Sequence, residues 1–112
     1  MEHKKVPDGY CSANTYLSLI STKWTAHVIW LLRTHEQMRF GQIQKQLAFV
    51  SSKVLSTCLK ALEQHGFIWR QPNESIPVTV TYGLTTKGIE LANIVQEIVD
   101  KSEQWDLTDN QK

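Results

Sequence analysis

Ser52, Lys53, Ser56, Thr57 and Lys60 fall in a stretch whose remaining positions are mostly Val54, Leu55, Cys58, Leu59 and Leu62. Projected as a helix at 100° per residue, the apolar set occupies a sector of about 140°. Lys53, Ser56, Thr57, Lys60 and Gln64 occupy about 100° on the opposite side. A helix that only needs solubility more often carries Glu/Lys pairs at four-residue spacing. This one carries short hydroxyls and ammonium groups, with no acid before Glu63. Hydroxyls can donate to or accept from the edges of bases, and lysines can neutralise phosphates. The chemistry open to this face is recognition of a polyanion.

The other reactive groups are sparse. Of the 2 cysteines, Cys58 lies in the middle of the apolar stripe and reads as a small core residue. Cys11 stands at the start of an expected helix, whose positive end lowers a thiol's pKa and raises its thiolate fraction. Lys4 and Lys5 could assist if the N-terminal segment folds back. Two cysteines are too few for a disulfide framework. His3, His27, His35 and His65 show no metal-ligand spacing with one another or with either cysteine, so no metal is expected. No glycine-rich phosphate loop, nucleophile elbow or carboxylate pair occurs, so neither a cofactor nor catalysis is expected. Trp24, Trp30 and Trp69 read as core residues more readily than as a stacking platform for single strands.

The elements that must position these residues can be read from periodicity. The 112 residues suit one domain. No apolar run approaches the roughly 20 residues of a membrane span, and residues 1–16 hold no signal-peptide stretch, so the expected compartment is the cytoplasm. Residues 1–10 read as a flexible polar arm, 11–105 as the folded domain and 106–112 as a polar tail. A short helix carries Tyr16, Leu17, Leu19 and Ile20, and is broken at Ser21-Thr22. A second runs from Trp24 to about Thr34, a third from Gly41 to Ala48, and the fourth follows a turn at Phe49-Val50 with Ser51 or Ser52 as its cap. His65-Gly66 ends the fourth helix. Phe67–Arg70 and Val78–Tyr82 then read as two strands joined by a loop over 71–77. Thr85 caps a last helix reaching about Trp105. That helix carries two adjoining apolar stripes, more apolar surface than so small a monomer can readily cover. A homodimer is expected, with Leu17, Leu91, Ile94, Ile98 and Trp105 at its interface.

Charge follows the same division. The formal net charge is +1, yet residues 39–70 hold Arg39, Lys45, Lys53, Lys60 and Arg70 against Glu63 alone, a net of +4. Residues 85–112 hold Lys87, Lys101 and Lys112 against six acids, a net of −3. The helical pair is the pole that would face a polyanion.

Helix, helix, helix–turn–helix, hairpin and long helix, in that order, resemble the HxlR-type winged helix transcription regulators of bacteria. The landmarks are Cys11, Lys23-Trp24-Thr25, Arg39-Phe40, then Ser51, Lys53, Leu55, Leu59, Leu62 and Gly66, and finally Val80-x-Tyr82-x-Leu84-Thr85-x-x-Gly88. Departures are Ser21-Thr22 where the family has glycines, Phe49 in place of a turn glycine, and a wing without Lys or Arg between Arg70 and Lys87. The resemblance implies an α+β, mostly helical fold: a winged helix-turn-helix with a two-stranded wing and a long C-terminal dimerisation helix. It implies a homodimeric regulator binding an inverted repeat in double-stranded DNA. Many relatives use a cysteine at the place of Cys11 to sense oxidants or electrophiles, so an oxidant or small-molecule effector is a further implied partner. Base-edge candidates are Ser52, Lys53, Ser56 and Thr57; phosphate candidates are Arg39, Lys45, Ser51, Lys60, Arg70 and Thr79. The rival readings are a winged helix that binds protein, which would expose large apolar groups on the fourth helix, and a small redox enzyme working through Cys11.

Overall fold

A computed structural model describes residues 10–110, with side chains over 12–109. The elements run α1 (Tyr10–Ser21), α2 (Thr25–His35), β1 (Gln37–Arg39), α3 (Phe40–Gln46), α4 (Ser52–Gln64), β2 (Ile68–Asn73), β3 (Thr79–Leu84) and α5 (Thr86–Asn110). The expected arm lies outside the described residues except for Tyr10, which opens α1. Cys11 falls in the first turn of that helix, and its side chain lies outside the described residues.

Local chemistry sets the boundaries. α1 stops where the Ser21 hydroxyl donates back to the Leu17 carbonyl at 2.6 Å and the Thr22 hydroxyl to that of Ser18 at 3.2 Å, competing with continuation of the helix. Trp24, expected inside the second helix, precedes it with φ 78° in the left-handed region, which a bulky residue rarely adopts. The next residue, Thr25, is fully buried. Its hydroxyl lies 3.9 Å from the Cys58 sulfur, and the Cys58 thiol donates to the Lys23 carbonyl at 3.4 Å. Lys23-Trp24-Thr25 therefore pins the start of α2 to the middle of α4.

The expected two-stranded wing is present as β2 and β3, and β1 adds a third strand to it. Three antiparallel strands lie in the order β1-β3-β2, with Met38 opposite Tyr82 and Arg70 opposite Tyr82 on the other side. β1 is only 3 residues long with one inward apolar side chain, Met38, too little alternation to be recognised in sequence. β2 also continues through Gln71 and Pro72 to Asn73, where a loop was expected. It is an edge strand, where a residue lacking N–H is tolerated. α5 runs past Trp105 to Asn110, so residues 106–110 extend the helix.

The core lies where α2, α3, α4, the inner sheet face and α5 meet. Val28, Ile29, Leu32, Ile43, Leu55, Leu59 and Leu62 are buried with Met38, Phe67, Ile68, Tyr82, Ala92 and Val95. The first turn of α5 locks this core to the wing. The Thr85 hydroxyl donates to the Gly66 carbonyl at 2.6 Å and accepts from the Gly88 N–H at 3.0 Å. A Cβ on Gly88 would stand 1.9 Å from the Phe67 carbonyl oxygen. Leu84-Thr85-x-x-Gly88 is thus a cap followed by a close backbone approach that only glycine permits.

Candidate nucleic-acid interface

α4 is fixed at both ends. At its N-terminus Ser51 is extended, and its hydroxyl oxygen accepts from the Val54 N–H at 3.1 Å. Gln44 of α3 braces the turn: its amide nitrogen donates to the Val50 carbonyl, and its amide oxygen accepts from the Ser52 hydroxyl at 3.0 Å. At the C-terminus Gly66 takes φ 79°, the left-handed conformation that glycine supplies freely. There Lys87 reaches over from α5, donating to the His65 carbonyl at 2.7 Å, a cation at the negative end of the helix. Its ammonium also sits 4.5 Å from the Phe67 ring centroid and 4.9 Å from that of Tyr16. Burial of Leu55, Cys58, Leu59 and Leu62 fixes the rotation of α4, and the polar stripe of Lys53, Ser56, Thr57, Lys60 and Gln64 is exposed.

Hydrogen bonding separates the base-edge candidates. The Thr57 hydroxyl donates back to the Lys53 carbonyl at 3.0 Å, leaving its acceptor lone pairs and its methyl outward. The Ser52 proton is engaged by Gln44, so Ser52 too presents an acceptor. Ser56 has no intramolecular partner among the described residues and keeps both roles. Lys53 and Lys60 make no ion pair among the described residues. Val54, expected on the apolar face, is 43% exposed. It lies at the edge of the apolar sector, and Leu55, Cys58, Leu59 and Leu62 complete the stripe without it. Phe49, in the preceding turn, is 89% exposed.

The phosphate candidates fall into separate places. Ser56, Lys60 and Arg70 line one groove of about 350 Å³ together with Glu63 and Tyr82. Lys45 borders another, beside His35 and Gln42. Arg39 turns to a cavity on the sheet with Trp69 and Thr81. Thr79 stands apart near the wing tip, half-buried, its hydroxyl accepting from Asn73 at 3.0 Å. The wing tip presents exposed Ile76 and Val78. Gln44 and Lys87 were not legible as positioning residues, because a single half-buried amide and an exposed lysine carry no periodic signal. Val54 was read as buried for the opposite reason, since apolar residues on a helix default to the core, and Phe49 was read only as a turn residue.

Trp24 and Trp30 pack against the core as expected, whereas Trp69 lies on the outer face of the sheet, 37% exposed. Of the expected interface residues, Leu17, Ile94, Ile98 and Trp105 are exposed and Leu91 is half-buried. Among the described residues no group of three or more His, Cys, Asp or Glu could hold a metal ion. No described helix is long and apolar enough to cross a membrane.

Comparison with known proteins places this geometry. The HxlR-like helix-turn-helix family model matches residues 19–110. An HTH-type transcriptional regulator of Halalkalibacterium halodurans, BH0655, is 36% identical over 84 residues, 75% of this chain and 74% of that protein. The HTH-type transcriptional regulator YodB of Bacillus subtilis is 34% identical over 88 residues, 79% of this chain and 78% of YodB. The reduced form of YodB superposes with a TM-score of 0.72 at 31% identity, over 90% of this chain and 94% of that one. A diamide-treated form of YodB gives 0.68 at 30% identity, over 91% and 96%. The three-stranded sheet beside a braced helix–turn–helix and the family match agree: the chain belongs to the HxlR-like helix-turn-helix family and is a DNA-binding transcriptional regulator.

Proposed function

We propose that the chain binds an inverted repeat in duplex DNA as a homodimer, with α4 in the major groove. The observation that carries this reading is the division of α4 into a buried Leu/Cys stripe and an exposed Lys/Ser/Thr stripe. Lys53 and Ser56 read base edges, with Ser52 and Thr57 as acceptors for base amino groups. Val54 and Phe49 supply apolar contact suited to thymine methyls. Arg39, Lys45, Lys60 and Arg70 hold phosphates, with Ser51 and Thr79 adding hydroxyl contacts. The exposed apolar residues of α5, with Leu17 of α1, form the dimer contact. Replacing exposed Ser56 by Glu tests the reading, since it sets an acid among phosphates without touching the core. Electrophoretic titration should show lost binding to every duplex, with an unchanged circular dichroism spectrum. A Ser56→Glu protein that binds as the parent does would contradict it.

A second reading concerns Cys11 and is favoured by its place in the first turn of α1, where the positive helix end faces it. In this reading Cys11 is a thiol sensor whose modification changes DNA affinity. Cys58 is buried against Thr25 and Lys23, so the disulfide available to an oxidised Cys11 is one between subunits, or a mixed adduct with a small thiol.

A further inference from the structure

The outer face of the sheet carries a cavity of about 320 Å³ that the DNA-binding reading leaves unexplained. Arg39, Thr81 and Gln71 are consecutive partners across β1, β3 and β2, and Gln37, Gly83 and Trp69 form the next rank. Residues two apart on a strand share a face, so these side chains stand together, opposite the inward Met38, Tyr82 and Ile68. Gly83 makes room for the indole: a Cβ there would stand 2.2 Å from Cζ2 of Trp69 and 2.4 Å from Cε2. Trp69 therefore lies directly over the central strand as one wall, with Arg39 on the far strand, about 10 Å away across two strand spacings.

Three of the polar groups around this ring are donors, beside the amides of Gln37, Gln42 and Gln71. The Arg39 guanidinium has no ion pair among the described residues, and the Trp69 indole N–H has no acceptor there. Trp30, by contrast, donates to Gln96 at 2.9 Å. Asn73 donates to the Thr81 hydroxyl oxygen at 2.8 Å, which leaves the Thr81 proton free to donate. A cation, an N–H and an O–H around an aromatic face complement a flat ring bearing an anionic group. The planar guanidinium suits a carboxylate, which it can hold through two parallel hydrogen bonds.

We propose that this cavity binds a planar aromatic carboxylate, its ring against Trp69 and its carboxylate on Arg39. Occupancy weakens DNA binding by withdrawing Arg39 from phosphate, and this second half rests on the phosphate role proposed for Arg39. The test uses the intact chain, 2-naphthoate as probe and 2-naphthamide as its uncharged analogue, titrated calorimetrically without DNA. The carboxylate should bind about tenfold or more tightly than the amide, as a charge-assisted pair implies. Arg39→Gln and Trp69→Leu should each lose about the same factor, and Gly83→Ala should lose binding by displacing the indole. Both Arg39 and Trp69 are exposed, and circular dichroism verifies the fold of each variant. Undetectable binding at millimolar probe, equal binding of amide and acid, or binding indifferent to all three variants overturns the site. In a second titration, saturating 2-naphthoate should reduce the parent's affinity for DNA and leave that of Trp69→Leu untouched by the probe. Binding of the probe with no change in DNA affinity overturns the regulatory half. A chain that binds the probe but no DNA refutes the DNA reading and leaves the site standing.

Discussion

Ser56 and Thr57 are neighbours with the same functional group and different freedom. Thr57 returns its proton to the Lys53 carbonyl, whereas Ser56 has no internal partner among the described residues. Ser56→Ala should therefore change the preference among operator variants at one base pair, by about 1–3 kcal/mol if the contact is well made. Thr57→Ala should matter only where an acceptor or a methyl is wanted. Lys60→Ala, by contrast, should weaken binding to all sequences alike and lower the salt slope by about one unit. Titrations against operator and scrambled duplex at several salt concentrations separate the two classes, and indistinguishable behaviour would dissolve the division of this face. Cys11 belongs to the same scale. If it senses electrophiles, native alkylation should strike it before buried Cys58, and the adduct should alter DNA affinity. Cys11→Ser should then bind DNA normally and stop responding. Mass spectrometry of partially alkylated protein checks the order of reaction, and labelling of Cys58 first would remove the sensor.

The elements hold these residues through a few close contacts. Gly88→Ala forces a Cβ onto the Phe67 carbonyl at 1.9 Å, and backbone at that distance cannot yield cheaply. The expected cost is about 1–3 kcal/mol, read as a lower denaturation midpoint with unchanged m-value; an unaltered midpoint would show that α5 does not dock so closely. This junction also shows what the sequence made legible. α4 could be read because Leu55, Cys58, Leu59 and Leu62 repeat at helical spacing and Ser51 and Gly66 punctuate it. Thr85 and Gly88 could be recognised as a motif, but their purpose needed the strand end at Phe67, which is distant in sequence. β1 stayed hidden because three residues with Met38 alone facing inward make no alternation. Pro72 hid the end of β2, since only the sheet order reveals that β2 is an edge where proline fits. Val54 misled because hydrophobicity indicates burial only on average. Arg39 and Trp69 were read as a phosphate contact and a core residue, since nothing local brings β1 beside β3.

At the scale of the molecule, the Cα radius of gyration is 16.7 Å, against about 13 Å for a compact chain of this length. The 25 residues of α5 span about 37 Å at 1.5 Å each, and one side of it carries Ile94, Ile98 and Trp105 exposed. A second copy of α5 would cover this surface and set the spacing of two α4 helices. Replacing Ile94 and Ile98 by Asp should give monomers or insoluble protein by sedimentation, with a corresponding loss of tight operator binding. A stable parent monomer with full DNA affinity would refute the dimer. The most direct test of the whole account is selection from random duplexes by the intact chain, followed by sedimentation of the enriched duplex with protein. A homodimer with α4 in the major groove should enrich an inverted repeat with half-sites about 10 bp, or a multiple, apart and place two chains on each duplex. A selection that enriches no sequence, or a single half-site bound at full affinity by one chain, would contradict it.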